Sequence, residues 1–267
     1  MKPSTLTRRT VILAAAASLP LSGALAQVAD LNDAINKAGS LRMLSERLGK
    51  AWLALAQGIE SSNAQQVLDK SAALFDRQLV ELKTYAATPD VRDTYAKLEG
   101  AWGSYKTALT GAAPAKEGAA TLLQYEAKVL ALAHQGTTQF ESATEKPLGK
   151  LVNIAGRQRM LSQRMAMYYL AAKLPVDATT AMGEIDKARA EFVRAMPVLR
   201  DAPQTTARIK DELQQAELQW VLFDAALQKV NVPSNYPVKH MSDVFVASEK
   251  MLAMMDRVTS LYSAIKT

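Results

Sequence analysis

The fold is decided by the stretch NKAGSLRMLSER at residues 36–47, because it returns as NIAGRQRMLSQR at residues 153–164. Eight of the twelve aligned positions are identical, at a constant offset of 117 residues. The correspondence continues downstream with an offset that grows slowly in one direction, as insertions in loops would produce. The matched aromatic pairs are Phe75 with Phe192 at offset 117, Trp102 with Trp220 at 118, and Phe140 with Tyr262 at 122. Because order and register persist over four segments, the chain is an internal duplication rather than a chance similarity between helices.

Each copy has the apolar spacing of four helices, separated by turns that contain proline or glycine. The predicted helices are 30–58, 62–87, 90–110 and 119–145 in the first copy, and 149–173, 178–200, 204–230 and 238–265 in the second. We therefore predict an all-α fold of two tandem four-helix bundles related by a pseudo-two-fold axis, with units 27–146 and 147–267.

The first 26 residues have the pattern of a secretory signal peptide. Positive charges precede an Ala-rich apolar run at 11–21, and Ala24–Ala26 fits a small-residue cleavage site, which gives a mature chain that starts at Gln27. We predict a periplasmic, soluble protein, with an uncleaved anchor as the alternative. The adjacent Arg8 and Arg9 fit either the general secretory or the twin-arginine route, so the route stays undecided.

Composition excludes several function classes. Removing residues 1–26 takes three positive charges from the net charge of +6 and leaves +3, which is too little for a nucleic-acid interface. Cysteine is absent and there are only two histidines, so thiol chemistry and most histidine-built metal centres are excluded. The nucleophile-elbow, zinc-helix, phosphate-loop and dinucleotide motifs are missing as well. We expect no enzyme activity, no metal and no cofactor.

The repeated helix carries two distinct faces. Leu41, Leu44 and Leu48 lie on one side, which is an ordinary stripe facing a core. The opposite side holds glycine, methionine, asparagine and arginine in both copies. Glycine costs about 1 kcal/mol in a helix interior, so a solvent-facing surface has little use for it. This side therefore predicts a contact with the other copy of the same helix.

Such a contact would bring two arginines together. Converging guanidinium groups repel each other unless an anion lies between them, and guanidinium is well suited to oxyanions. The alternative is that the arginines are solvated and the glycines only mark tight packing. The candidate anion-binding residues are Gly39, Arg42, Met43, Gly156, Arg159 and Met160. The candidate flanking residues are Asn36, Arg47, Asn153, Arg157 and Arg164.

The two motifs resemble the P-box of the NarX/NarQ nitrate and nitrite sensor kinases, a segment that also marks the N-terminal domain of PilJ-type pilus chemotaxis transducers. The resemblance implies a four-helix unit whose first helix pairs with its equivalent and holds one nitrate between two arginines. Carried over to this chain, those arginines are Arg42 and Arg159, with Gly39 and Gly156 at the close backbone approach.

The chain also departs from this pattern. Ser40 and Leu41 are replaced by Arg157 and Gln158 in the second copy, so the two halves of the site are not equivalent. Nothing in the sequence resembles a kinase or other output domain. The resemblance thus implies a nitrate or nitrite sensor or accessory protein that passes its signal to a membrane receptor, kinase or transporter. The alternative function is a helical structural or interaction module of a type IV pilus or chemoreceptor system.

Overall fold

The computed structural model describes residues 27–144, 146–231 and 237–266. These ranges form eight α-helices with short 3₁₀ turns at Lys116–Gly118 and Gln228–Asn231, and they contain no strand. The helices of the first copy are α1 (Leu31–Ala56), α2 (Ser61–Tyr85), α3 (Pro89–Thr110) and α4 (Ala119–Ser142). Those of the second copy are α5 (Pro147–Ala171), α6 (Ala178–Asp201), α7 (Ala207–Leu227) and α8 (Pro237–Ser263).

The all-α prediction is confirmed, and the eight predicted helices match the observed ones to within about three residues at most ends. The predicted signal peptide at 1–26 lies outside the described residues. Within the described part of the chain, no helix is both long and apolar enough to cross a membrane.

The equivalent helices α3 and α7 begin with the same capping device. The side chain of Thr88 accepts a hydrogen bond from the amide of Val91 at the start of α3. Thr206 does the same for Ile209 at the start of α7. Side-chain oxygens at this position satisfy amide groups that have no partner inside the helix. The equivalent caps fix equivalent helix boundaries in the two copies.

The duplication is visible in the packing. Phe75 stacks on Trp102 at 4.1 Å between ring centroids, and Phe192 stacks on Trp220 at 4.5 Å. Each tryptophan meets a further ring edge-on at 6.1 Å, Tyr105 in the first copy and the equivalent phenylalanine in the second. Since offset-stacked and edge-on contacts depend on geometry, their repetition indicates two units of the same structure.

Helices α1 and α5 form the centre of the molecule. They contact each other more extensively than any other pair of helices, and each also packs against two helices of its own copy: α1 against α2 and α4, and α5 against α6 and α8. The apolar side chains of both copies consequently form one continuous core. The predicted contact between the two repeated helices is confirmed, and it buries α1 and α5 on nearly every side.

Candidate functional site

The site begins at the glycines where α1 and α5 approach each other. A Cβ atom on residue 39 would lie 4.0 Å from the Cα of Gly156. It would also lie 3.2 Å from Nη2 of Arg42 and 3.6 Å from Nη2 of Arg159. Because this Cβ position is close to both Nη2 atoms, the Nη2 atoms of the two guanidinium groups lie within about 7 Å of each other. The glycines therefore provide the space into which both arginine side chains turn.

Arg42 is completely buried, and its side chain contacts an asparagine and a histidine. Its Nη2 donates a hydrogen bond of 2.6 Å to Oδ1 of Asn153, and its Nη1 lies 3.3 Å from Nδ1 of His134. Its Nε has no hydrogen-bond partner. Among the described residues, no carboxylate forms an ion pair with it. Glu141, whose charge acts on Arg42, accepts a hydrogen bond from the side-chain nitrogen of Asn153. A buried cation is thus held by neutral groups alone.

Burial, together with the charges of Arg157 and Arg159, lowers the pKa of Arg42 to about 9. Desolvation disfavours the charged form of any buried base, and like charges nearby add to that effect. Arg42 stays protonated at neutral pH, but its charge is unfavourable in the ligand-free protein.

Arg159 lies in the equivalent position of the second copy and has a different environment. Its Nη2 donates to Oδ1 of Asn36 at 2.8 Å and to the backbone oxygen of the same residue at 3.0 Å. Its Nη1 forms an ion pair of 2.6 Å with Asp256. Asn36 and Asn153 occupy equivalent positions, so each arginine reaches across to the asparagine of the other copy, as a two-fold relation requires. The acidic partner exists on one side only.

This asymmetry arises from one pair of equivalent residues. His134 on α4 and Asp256 on α8 are 122 residues apart, the same offset that relates Phe140 to Tyr262. The amphipathic spacing around His134 predicts an ordinary surface or half-buried histidine. Its side chain is indeed exposed, but it also contacts Arg42. The offset signals that the two residues are equivalent, although nothing in the sequence indicates that either one touches an arginine.

The other predicted arginines are engaged elsewhere. Arg47 pairs with Glu249, Arg157 pairs with Glu191, and Arg164 bridges Glu46 and Glu184. Their donors bind carboxylates, so the predicted flanking role of these three arginines stays a prediction. The two asparagines predicted as flanking residues contact Arg42 and Arg159 directly.

Two cavities lie on opposite sides of the α1–α5 pair. One, of about 450 Å³, lies against α1, α2 and α8 and is lined by Met43, Arg159 and Asp256. The other, of about 420 Å³, lies against α4, α5 and α6 and is lined by Met160 and His134. Both methionines predicted for the site are buried. They occupy equivalent places, so the cavities are counterparts in the two copies.

The chain matches the family model described as the type IV pili methyl-accepting chemotaxis transducer N-terminal domain, PilJ, over residues 24–130 and 141–235. Each matched segment contains one of the two repeated helices. Comparison with curated proteins and with solved structures gives no match.

Proposed function

Because the chain belongs to the PilJ family of N-terminal domains of type IV pili methyl-accepting chemotaxis transducers, we propose that it serves as a helical sensory module in a type IV pilus or chemotaxis system. The single observation that carries this proposal is the family match, which covers most of each copy of the duplicated unit. The all-α structure fits it, since the described residues form two helical units of one design.

The duplication supports a specific form of this role. In a domain with a single P-box helix, two chains must associate to bring two such helices together. Here α1 and α5 supply both helices within one chain. We propose that a module of this kind presents a preformed helix pair to a membrane receptor, kinase or transporter, which would pass the signal on.

The test is partner capture in the host. A functional tagged copy, crosslinked in living cells, should recover a chemotaxis or pilus receptor, and deletion of the gene should alter pilus-dependent movement. A matched control is the copy with two bulky residues at the glycine approach, Gly39→Leu with Gly156→Leu, which disrupts the central helix pair. Normal movement without the gene, and no receptor among the crosslinked proteins, would contradict the proposal.

A second function is favoured by Arg42: we infer that the site takes a small oxyanion, with nitrate and nitrite as the first candidates. The supporting observation is a fully buried guanidinium that lacks an acidic partner, retains a free Nε donor and lies within about 7 Å of a second guanidinium. An anion that accepts hydrogen bonds from both arginines would relieve their repulsion, and charge-assisted bonds of this kind contribute about 1.5–3 kcal/mol each.

Calorimetric titration of residues 27–267 with nitrate, nitrite, sulfate and chloride tests this inference. We expect one anion per chain, and at least tenfold weaker binding for Arg42→Ala and for Arg159→Ala. Arg42→Lys restores the charge without the planar pair of donors and should recover binding only in part. If none of the four anions binds the unmodified protein, the arginine pair is a packing feature and the sensory role must depend on another surface.

The location of the protein is also a proposal. A cleaved signal peptide at 1–26 would place the module in the periplasm, where receptors of this class meet external ligands. Mass spectrometry of protein from the native host should find Gln27 at the N-terminus. Retention of residues 1–26 would favour an anchored protein instead.

A further inference from the structure

His134 and Asp256 occupy equivalent positions in the two copies, and each contacts the arginine of the neighbouring repeated helix. Asp256 is negatively charged and neutralises Arg159. His134 carries no charge when its Nδ1 accepts the N–H of Arg42, because an accepting ring nitrogen must be unprotonated. One arginine therefore has a carboxylate partner, whereas the other contacts an exchangeable neutral group.

The two cavities beside the α1–α5 pair differ in the residue that stands next to the arginine. On the side of α1, α2 and α8, Arg159 lines the cavity directly and Asp256 stands beside it. On the side of α4, α5 and α6, the cavity is lined by His134, and the fully buried Arg42 lies behind the imidazole. An anion that approaches Arg159 meets a carboxylate, while one that approaches Arg42 meets a side chain that can be displaced.

We propose that the anion reaches the arginine pair only through the cavity between α4, α5 and α6, by displacing His134 from Arg42, and that Asp256 closes the equivalent route to Arg159. This inference rests on the proposed oxyanion function and adds the route and the residue that controls it. The His134 side chain is suited to this role because it is exposed and makes a single, long contact to the guanidinium. The ligand class is a small monoanion, since one uncompensated cation is available.

The same arrangement couples binding to pH. Protonation of His134 removes the acceptor at Nδ1, repels Arg42 and supplies an additional N–H donor for the anion. Burial and the charges of Arg42 and Arg157 lower the pKa of His134, so this protonation occurs below the ordinary range of histidine. The charged groups that face His134 are Arg42 from α1, Glu141 from α4, Arg157 and Arg164 from α5, and Glu184, Lys187 and Glu191 from α6. Nitrate keeps its charge throughout, so its affinity should rise as the pH falls through the pKa of His134.

The experiment compares substitutions at the two equivalent positions, with nitrate as the probe and melting temperature as the check on folding. His134→Asp gives Arg42 the carboxylate that Arg159 already has, and it should weaken nitrate binding at least tenfold while leaving the fold intact. Asp256→Asn removes the carboxylate from the other arginine and should leave the affinity unchanged or raise it. His134→Ala should bind nitrate with an affinity that no longer varies with pH in the range where the unmodified protein varies.

The outcomes separate the two proposals. Nitrate binding by the unmodified protein that survives unchanged in His134→Asp would overturn the route through His134 and leave the oxyanion site standing. Loss of binding in Asp256→Asn that matches or exceeds the loss in His134→Asp would also overturn it, since the route would then lie on the other side. Absence of binding to the unmodified protein at any pH would overturn the oxyanion function itself, and the route with it.

Discussion

Replacement of Arg42 by methionine should leave the free energy of unfolding of the ligand-free protein unchanged or slightly higher. The physical reason is that the charge is held in a place that disfavours it: the pKa falls from 12.5 to about 9. At about 1.4 kcal/mol per pKa unit, the folded protein bears an unfavourable energy of roughly 4–5 kcal/mol for this charge. Methionine is a shorter, unbranched and uncharged side chain, so it has no such cost.

The hydrogen bonds lost in the substitution work in the opposite direction. Arg42 contacts Asn153 and His134, and bonds to a charged group contribute about 1.5–3 kcal/mol each. The two effects nearly cancel, so the net change should lie within about 2 kcal/mol of zero. Arg159→Met is the matched control at the equivalent position. It loses the ion pair with Asp256 and both bonds to Asn36, so it should destabilise the protein by about 2–4 kcal/mol.

Urea unfolding of the two variants, followed by circular dichroism in a buffer free of oxyanions, measures this difference. The energetic asymmetry predicts that Arg42→Met is the more stable variant by at least about 1 kcal/mol. If Arg42→Met is destabilised as much as Arg159→Met, the charge of Arg42 is compensated by interactions other than its side-chain contacts. An uncompensated charge would then no longer favour an anion at Arg42.

Two further predictions concern buried charges outside the arginine pair. Lys50 is completely buried between Ser248 and Glu249, and the equivalent positions in the opposite copies hold Met167 for Lys50 and Ala127 for Glu249. Glu249→Ala should therefore lower the free energy of unfolding by about 3–5 kcal/mol, because it leaves the lysine without its counter-charge. In urea unfolding, the double variant with Lys50→Met should recover most of that loss. A double variant as unstable as Glu249→Ala alone would refute the pairing. Burial and the neighbouring Glu46 raise the pKa of Glu126 well above 4.5. The stability that its protonated form contributes is therefore fully present below about pH 4.5, and it is lost as the pH rises through the raised pKa. Glu126→Gln should consequently lose less stability than the unmodified protein between weakly acidic and alkaline pH, whereas parallel pH profiles would show that Glu126 does not titrate in the folded state.

Local sequence patterns were sufficient to predict the helices of this protein. Helical spacing of apolar residues, proline and glycine at the turns, and threonine caps depend on neighbours in the chain, so the eight helices could be predicted closely. The repeat of Gly39, Arg42 and Met43 predicted that the two copies of one helix would pack together. That contact is confirmed, and the glycines leave the space that the two helices and both arginine side chains occupy there.

The surroundings of each arginine depend on tertiary packing. Arg42 meets a residue 92 positions away in the chain, and Arg159 meets one 97 positions away, on helices that the sequence could place only as neighbours in a bundle. Alignment of the copies makes His134 and Asp256 equivalent, but it does not say that either side chain reaches a guanidinium. That outcome depends on how α4 and α8 are rotated against the central pair, which the packing of the whole core sets. The charge balance of the site, and with it the difference between its two sides, is therefore a property of the folded chain.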